Sequence, residues 1–572
     1  MIRAFRRLTR TVFVGKSGIG SSYPIRIQSM LTSRTTDLEG VMREIRALND
    51  AGCELIRIAI PNGKALDTTS EIRRQMESEG IALPLIADIH FNPRLAVDAC
   101  ELFEKVRINP GNYADRKKFK VRKYSDSQYN DELERVEESL LPLIKSLKSH
   151  QRALRVGTNH GSLSDRVMNR YGDTPEGMVQ SAMEYLRILE KYQFHDTILS
   201  MKSSNPLVMK EAYRLLVQRM ESEQMDYPLH LGVTEAGNGL DGRIKSAVGI
   251  GGLLNEGLGD TIRVSLTEPS ENEIPAARAI LRGLERFEDG SHHTGFPVPK
   301  IVPAYTLSPV VEIEGCRIGP KETFKLLALG QKEKIPVPSD EFDAWIGADS
   351  GTSQVVFIDE KDIDSGSLKS LLSKRETLLL LLKAVNPLIS FQELSKFLHE
   401  NGISGSIGYV LPTMDSPENH LGLAAQLGEL ITGQNLHCLA IQNPGPDSHE
   451  TEFARSLMQS TRVRLFKTEF ISCPSCGRTF FDLQKTTEAI KSRTAHLKGV
   501  KIAVMGCVVN GPGEMADADF GYVGAGPGRI HLYRGRDCVE RNISSLNAVE
   551  KLISLIRKEG QWVEPEKESQ TA

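Results

Sequence analysis

The 572-residue chain lacks any long hydrophobic run, and this lack argues against a membrane-spanning helix. Its longest aliphatic run, TLLLLLKAV at 377–385, is interrupted too soon to cross a bilayer, and we predict a buried helix there. Eight cysteines in so long a chain do not make a disulfide scaffold, and no apolar signal region follows the basic segment MIRAFRRLTR. These features together predict a protein of a reducing compartment, the cytoplasm.

A strong excess of charge is missing as well. The formal net charge is −3, which argues against a nucleic-acid-binding surface spread over the whole protein. Charged residues make up 25% and hydrophobic residues 40%, which is ordinary globular composition. A chain of this length is too long for one hydrophobic core, so we expect several domains.

The first 290 residues contain short apolar runs separated by stretches of helical period. Several of the helical stretches begin with an N-cap residue and end near a glycine. Eight strands alternating with helices predict a parallel (β/α)8 TIM barrel. A doubly wound α/β fold is the weaker alternative, because no glycine-rich turn follows the first strand. The eight runs are IRIQSM (25–30), ELIRIAI (54–60), PLIADIHF (84–91), KVRINPG (105–111), ALRVGTNHG (153–161), TILSMKSSN (197–205), PLHLGVTEAG (228–237) and TIRVSLTEP (261–269).

The composition changes after the predicted barrel. The polar, proline-rich stretch DGSHHTGFPVPKIVP near position 290 predicts a linker. Strand-like and helix-like stretches then alternate again, which predicts an inserted α/β middle domain with a structural or spacer role. The last part of the chain carries the clustered cysteines and predicts a small α+β domain. The predicted domains are therefore 1–290, 291–435 and 436–572.

Several charged side chains lie at or near the ends of the predicted barrel strands, where TIM barrels place their catalytic residues. Placing cations within apolar strands is costly unless an anion compensates them. Ion pairs with Asp88 and Glu235 would explain buried cations without any ligand. Two carboxylates nevertheless leave an excess of positive charge. That excess favours an anionic, phosphorylated ligand. His90 and Glu235 are the candidates for proton transfer. The cations are Arg57, Arg107, Arg155, Lys202 and Arg263.

The motif CPSCG places Cys473 and Cys476 two residues apart, a spacing shared by zinc knuckles, dithiol switches and iron–sulfur ligands. No second pair follows; Cys507 is solitary, and Glu514 comes seven residues after it. Three thiolates and one carboxylate would suit an iron–sulfur site that lacks one protein sulfur. The residues alone leave two alternatives open. One is a structural zinc knuckle fused to a phosphate-binding barrel, and the other is a barrel aldolase without redox chemistry.

The motifs of both terminal domains resemble those of the 4-hydroxy-3-methylbut-2-enyl diphosphate synthase family of the non-mevalonate isoprenoid pathway. The chain is similar to the long, three-domain form of that family, although the middle domain is matched by its position rather than by a motif. The motifs that carry the resemblance are QSM, ADIHF, RINPGN, VGTNHGSL, SMKSSN, LGVTEAG, GDTIRVSL, CPSCGR and CVVNGPGE.

The resemblance implies a two-electron reductive ring opening. The substrate would be 2-C-methyl-D-erythritol 2,4-cyclodiphosphate, and the product (E)-4-hydroxy-3-methylbut-2-enyl diphosphate. A [4Fe–4S] cluster would be held by Cys473, Cys476, Cys507 and Glu514, and ferredoxin or flavodoxin would be the electron donor. The resemblance also leaves room for a homodimer, because two subunits form the site in the short form of the family.

The resemblance further assigns roles to individual side chains. Glu235 would be the proton donor, His90 would lie at the substrate, and Asn510 would lie beside the cluster. The remaining substrate contacts would be Arg57, Arg107, Arg155, Asn159, Lys202, Arg263 and Ser265.

Overall fold

The structure is a computed structural model. It describes residues 6–114, 123–283, 309–330, 342–347, 354–363, 366–372, 378–445, 448–474, 476–508, 511–515 and 517–565. The predicted linker near position 290 lies mostly outside these residues. Within them, no helix has both the length and the apolar character needed to cross a membrane. The chain divides into two compact units, one made of Arg6–Gly242, Leu258–Arg278 and Lys467–Ala572, the other containing Arg243–Gly257 and Ala279–Phe466.

The first unit contains the predicted TIM barrel, which is thereby confirmed. Eight parallel strands pair in the order β8-β7-β6-β5-β4-β3-β10-β9, and a parallel bridge between Leu199 and Leu229 joins the two ends of this series. The strands are β3 (Arg26–Met30), β4 (Leu55–Ala59), β5 (Leu85–Asp88), β6 (Lys105–Ile108), β7 (Ala153–Asn159), β8 (Thr197–Lys202), β9 (His230–Leu231) and β10 (Thr261–Ile262). All of these strands are almost wholly buried, as expected for parallel strands covered by helices.

A hairpin and a series of helices complete this part of the chain. The hairpin of β1 (Val12–Val14) and β2 (Ser17–Ile19) packs its apolar side chains against Leu55 and Ala153, the first residues of β4 and β7. It therefore closes the end of the barrel where the strands begin. The helices are α1 (Leu38–Asp50), α2 (Gly63–Ser78), α3 (Pro93–Ala99), α4 (Pro110–Tyr113), α5 (Asp126–His150), α6 (Asp165–Tyr171), α7 (Pro175–Lys191), α8 (Pro206–Ser222), α9 (Gly239–Ser246), α10 (Gly252–Asn255) and α11 (Glu273–Arg282).

The second unit is built on a six-stranded parallel sheet with the order β14-β13-β18-β17-β16-β15. A hairpin, β11 (Val311–Ile313) and β12 (Cys316–Ile318), packs into the same core as this sheet. The strands of the sheet are β13 (Lys325–Leu329), β14 (Ala344–Ile346), β15 (Val355–Asp359), β16 (Leu379–Lys383), β17 (Ser406–Val410) and β18 (Cys438–Gln442). The helices are α12 (Gly366–Leu372), α13 (Pro387–Glu400), α14 (Leu421–Thr432) and α15 (His449–Ser460).

The prediction of a buried helix at 377–385 is wrong, because this run contains strand β16. Its four leucines are fully buried between neighbouring parallel strands. A short continuous apolar run is compatible with a buried helix or with a parallel strand covered on both faces, so periodicity alone does not separate the two.

The terminal part of the chain forms a five-stranded sheet in which the first three strands are parallel and the last three antiparallel. Its strands are β19 (Glu469–Ser472), β20 (Lys501–Met505), β21 (Phe520–Gly526), β22 (Arg529–Arg534) and β23 (Asp537–Ser544), and its helices α16 (Leu483–Thr494), α17 (Gly511–Glu514) and α18 (Ser545–Lys558). Ile490 of α16 and Leu552 of α18 share a core with Ile502 of β20. The predicted domain boundaries stay predictions. Since β18 belongs to the six-stranded sheet, we propose that the terminal domain begins near β19.

Candidate active site

One pocket is lined by the carboxyl-terminal ends of the barrel strands and by the cysteine-bearing loops of the terminal domain. The two parts touch directly. Ala236, after β9, forms a parallel bridge with Ser472 of β19. The hydroxyl of Thr267, after β10, lies 2.9 Å from the Ser472 hydroxyl and donates to the Cys473 carbonyl oxygen at 3.2 Å. The predicted residues that line the pocket are Arg57, His90, Arg107, Asn159, Lys202, Glu235, Arg263, Ser265, Cys473, Cys476, Cys507 and Glu514.

Two of the predicted barrel cations are held by buried carboxylates. Arg107 Nη1 donates to Asp88 Oδ1 at 2.9 Å. Arg263 forms a two-pronged pair with Glu273, at 3.1 Å from Nε to Oε2 and 2.9 Å from Nη2 to Oε1. Burial alone would raise the pKa of Asp88, but the charges of Arg107 and Arg57 bring that pKa well below its usual range. These pairs fix both guanidinium groups at the pocket wall.

Three other buried cations of the barrel have no carboxylate partner among the described residues. Arg57 approaches only the sulfur of Met30, at 2.8 Å from Nη2 and 3.1 Å from Nε. All three guanidinium nitrogens of the fully buried Arg155 are without a hydrogen-bond partner within the described ranges. Lys202 is 5% exposed and forms no ion pair in the described part of the chain. Uncompensated buried cations are costly, so this arrangement favours a negatively charged ligand.

The electrostatic cost of these cations is visible in their pKa values. Burial, opposed in part by Asp88, lowers the pKa of Arg57 to about 9. Burial and the charges of Arg57 and Arg155 lower the pKa of Lys202 well below its ordinary value. An anion bound between Arg57 and Lys202 would favour the charged forms of both side chains. Because the site is buried, the attraction between these charges and the anion would be stronger than it is in water.

His90 lies in a network that keeps its imidazole neutral. Burial, opposed by Asp88, lowers the pKa of His90 to about 4. Arg107 Nη1 lies 2.6 Å from His90 Nε2, and Asn112 Nδ2 lies 2.9 Å from His90 Nδ1. Because Arg107 can only donate, Nε2 is the acceptor and Nδ1 carries the proton. This proton on Nδ1 requires the Asn112 amide to be turned over, so that Oδ1, otherwise without a partner, accepts from Nδ1 in place of Nδ2.

Glu235 and Glu514 bring two carboxyl groups together inside the pocket. Glu235 is 2% exposed, and burial followed by the charge of Glu514 raises its pKa well above the ordinary value. Its backbone is in the left-handed region at φ 49°, which costs a non-glycine residue about 1–3 kcal/mol. The amide of Asn159, at the end of β7, donates to Glu514 Oε1 and so holds this carboxylate against the barrel.

The three predicted cysteine ligands are half-buried, and the chemistry around them suits thiolates. The backbone N–H of Gly506 donates to Cys473 Sγ at 3.2 Å. Burial alone would lower the pKa of Arg478, but Asp88 and the thiol groups of Cys476 and Cys507 raise it above its ordinary value. A cation and an N–H donor beside the sulfurs are typical surroundings of thiolates that bind iron. These side chains therefore fit the implied cluster.

A single metal ion fits the same site less well. Among the described residues, no three His, Cys, Asp or Glu side chains converge closely enough to hold one ion. A structural zinc site needs four ligands around one centre. An iron–sulfur cube instead takes its ligands on separate iron atoms, so the ligands surround the pocket without meeting at a point.

Comparisons with known proteins agree with this architecture. A family model described as the GcpE TIM-barrel domain matches residues 9–278, and one described as the GcpE protein C-terminal domain matches residues 469–558. The chain belongs to the GcpE family. This finding confirms the predicted family, and with it the prediction of an oxidoreductase.

Relatives of this GcpE-family chain match it along nearly its whole length. A protein of Leptospira interrogans named 4-hydroxy-3-methylbut-2-en-1-yl diphosphate synthase (flavodoxin) is 42% identical, over 98% of each chain. A protein of Akkermansia muciniphila with the same name is also 42% identical over 98% of each chain. The Arabidopsis thaliana protein named 4-hydroxy-3-methylbut-2-en-1-yl diphosphate synthase (ferredoxin), chloroplastic, is 39% identical, over 98% of this chain and 88% of its own.

Two predicted residues are not placed in the pocket of this GcpE-family chain. Arg155 does not line it, because it lies in the middle of β7 rather than at the strand end. Asn510 lies outside the described residues. The roles assigned to all of the predicted site residues stay predictions.

Sequence reasoning also missed three contributors. Glu273 holds Arg263, Met30 contacts Arg57, and Arg478 reaches Asp88 from the terminal domain at 3.2 Å. Of these three residues, only Arg478 could have been predicted from the sequence, because it belongs to the CPSCGR motif.

Proposed function

We propose that the chain is an iron–sulfur reductase that opens the ring of 2-C-methyl-D-erythritol 2,4-cyclodiphosphate. The product is (E)-4-hydroxy-3-methylbut-2-enyl diphosphate, formed with two electrons and with loss of a hydroxyl group. One observation carries the proposal: Arg57 and Lys202, buried without carboxylate partners, line the same pocket as Cys473, Cys507 and Glu514. The names of the relatives support the proposed product.

The barrel side of the pocket binds and orients the anion. Arg57 and Lys202 form no ion pair with a carboxylate within the described part of the chain, so we take them as the principal contacts of the diphosphate. Arg107 and Arg263 keep their positions through Asp88 and Glu273 and add positive charge at the pocket wall. Ser265 and Asn159 add polar contacts at neighbouring strand ends. Burial of these groups excludes water and strengthens each interaction.

The terminal side of the pocket would hold the redox group. Cys473, Cys476, Cys507 and Glu514 would hold a [4Fe–4S] cluster, which supplies electrons and a Lewis-acidic iron that side chains cannot provide. The Asn159 amide fixes the Glu514 carboxylate, and the Gly506 N–H fixes the Cys473 sulfur. These contacts hold the ligands at the face of the terminal domain that meets the barrel.

Glu235 is the proposed proton donor. Its carboxyl group lies in the pocket, and its side chain is kept beside Glu514 by the strained backbone and by the Thr234 hydroxyl. From this position it gives a proton to the hydroxyl that leaves the substrate. His90 remains a predicted proton-transfer group, although its low pKa makes it a neutral hydrogen-bonding partner of Arg107 near pH 7.

Flavodoxin or ferredoxin is the proposed electron donor, because the relatives carry one or the other in their names. A homodimer stays a prediction. In this chain the barrel and the terminal domain of one subunit line the pocket together.

Turnover by anaerobically purified protein tests the proposal. The protein, reduced with dithionite and methyl viologen, should convert the cyclic diphosphate to the open diphosphate, and Glu235→Gln should lose most of this activity while keeping its iron and sulfide. Iron-loaded wild-type protein that leaves the cyclic diphosphate unchanged would overturn the proposal. Colourless protein with stoichiometric zinc would instead support the structural zinc knuckle.

A further inference from the structure

A second cavity, of about 390 Å³, adjoins the candidate active site and shares His90 and Arg478 with it. We name it the outer groove, defined by Arg34, Pro61, Phe91, Gly477, Arg478 and Phe480. Its barrel side comes from the loops after β3, β4 and β5, which are neighbours in the barrel. Its other side comes from the segment that directly follows Cys476.

The outer groove lies directly against the loop that carries two of the proposed cluster ligands. A Cβ atom built on Gly477 would lie 3.0 Å from the Ser33 carbonyl oxygen and 3.2 Å from Arg34 Cα, so the two backbones are in contact. Gly477 is the residue next to Cys476. Since electron tunnelling falls steeply with distance, a redox protein seated in this groove would be well placed to reduce a cluster held by Cys473 and Cys476.

The groove has an apolar centre. Phe91 is 52% exposed, and its backbone is in the left-handed region at φ 59°, an unfavourable conformation for a bulky residue. The exposed Pro61 and the half-buried Phe480 are part of the same lining. Exposed aromatic side chains held in a fixed position are typical centres of protein–protein interfaces.

Exposed cations follow the barrel residues of the groove closely in the chain. Arg34 lies in the loop after β3, Lys64 in the first turn of α2 and Arg94 in the first turn of α3. None of the three forms an ion pair within the described part of the chain. The groove lining itself includes two arginines and, among the residues that the structure describes, no carboxylate. This surface complements a partner that presents carboxylates around its redox centre.

We propose that the outer groove is the docking surface for flavodoxin, which bacterial relatives carry in their names. Carboxylates on the surface of flavodoxin would meet Arg34, Lys64 and Arg94. The proposal rests on the proposed function. Each encounter oxidises the flavodoxin by one electron and reduces the enzyme by one electron, so two encounters supply the two electrons of the reaction. The exposed ring of Phe91 meets the apolar surface around the flavin.

A triple charge reversal, Arg34→Glu, Lys64→Glu and Arg94→Glu, tests the docking surface. At low ionic strength, calorimetry should show that the triple variant binds flavodoxin at least about tenfold more weakly than the wild type does. Flavodoxin-driven turnover should fall accordingly, while turnover driven by reduced methyl viologen and the KM for the cyclic diphosphate stay unchanged. The matched control is Lys16→Glu, an exposed cation in the hairpin turn at the opposite end of the barrel.

Four outcomes would overturn the docking proposal. The triple variant could bind flavodoxin as tightly as the wild type, or the Lys16→Glu control could lose as much affinity. Equal losses of flavodoxin-driven and viologen-driven turnover with a raised KM would make the groove a substrate entrance. Binding of ferredoxin at the groove without any binding of flavodoxin would assign the surface to another carrier. If wild-type protein fails with methyl viologen, the proposed function fails, whereas the calorimetric titration still decides the docking surface.

Discussion

The barrel and the six-stranded middle sheet are both parallel α/β structures, yet they bury different side chains. Barrel strands carry buried cations such as Arg57, Arg155 and Lys202. In the described strands of the middle sheet no Arg or Lys is buried, and β16 contributes four consecutive buried leucines. Two parallel sheets therefore differ in their buried side chains: the barrel buries cations, and the described strands of the middle sheet bury apolar side chains.

This difference separates residues that stabilise a fold from residues that bind a ligand. Apolar strands such as β16 are sufficient for a parallel sheet, because hydrophobic burial stabilises them on both faces. Buried cations without carboxylate partners contribute nothing comparable, so those that line the pocket, Arg57 and Lys202, point to a ligand that compensates them. The charged strand ends of the barrel are thus explained by binding, and the middle sheet needs no such explanation.

The largest expected effect concerns the cysteine side of the pocket. Cys507→Ser should reduce turnover to background and lower the iron content, because a hydroxyl is a poor ligand for iron in place of a thiolate. Iron and sulfide analysis with an activity assay measures both. The control is Cys538→Ser, since Cys538 has similar exposure in the same domain but does not line the pocket. Equal losses in the two variants would remove Cys507 from the proposed ligand set.

A core substitution in the middle sheet should change stability without changing substrate affinity. Leu381→Ala removes a fully buried side chain of β16 and should cost about 2–5 kcal/mol of the free energy of unfolding. Urea unfolding measures the loss, and steady-state kinetics at low temperature measures KM for the cyclic diphosphate. A raised KM in folded Leu381→Ala protein would contradict the structural role assigned to this sheet.

Replacing an unpaired barrel cation should weaken substrate binding without lowering stability, the reverse of the effect expected for Leu381→Ala. Arg57→Met should weaken binding of the cyclic diphosphate by about 1.5–3 kcal/mol, because a charge-assisted hydrogen bond to the anion is lost. The ligand-free protein should be as stable as the wild type or more stable, since a buried charge without a carboxylate partner is removed. Calorimetry and thermal unfolding measure the two quantities.

Arg263→Met is the matched control for Arg57→Met. It leaves Glu273 buried without its guanidinium partner and should destabilise the ligand-free protein by about 3–5 kcal/mol. Equal destabilisation of the two variants would mean that Arg57 is as well compensated in the free protein as Arg263.

Local patterns in the sequence predict much of the fold and part of the site. The eight barrel strands, the cations at their ends and the spacing of the cysteines follow from periodicity and motifs. The strand β16 was mistaken for a helix, because a short apolar run has no distinguishing period. Arg155 was assigned to the ligand site because it lies in a barrel strand, but its depth within β7 depends on register, which the sequence does not specify.

The missed contacts join different elements of the chain, at separations from 10 to 390 positions. Glu273 returns from helix α11 to Arg263, and Arg478 meets Asp88 across 390 positions. No local pattern encodes such pairs, since they depend on how two strand ends or two domains pack. These contacts decide which cations are compensated, and so they identify Arg57 and Lys202 as the principal anion-binding candidates.

The most direct test of a shared pocket is electron paramagnetic resonance of the reduced, iron-loaded protein during titration with the cyclic diphosphate. We predict that the spectrum of the cluster changes as the ligand binds, and that Lys202→Met requires a higher ligand concentration for the same change. An unchanged spectrum at a concentration where calorimetry shows the wild-type protein to be saturated would contradict a single pocket for the anion and the cluster.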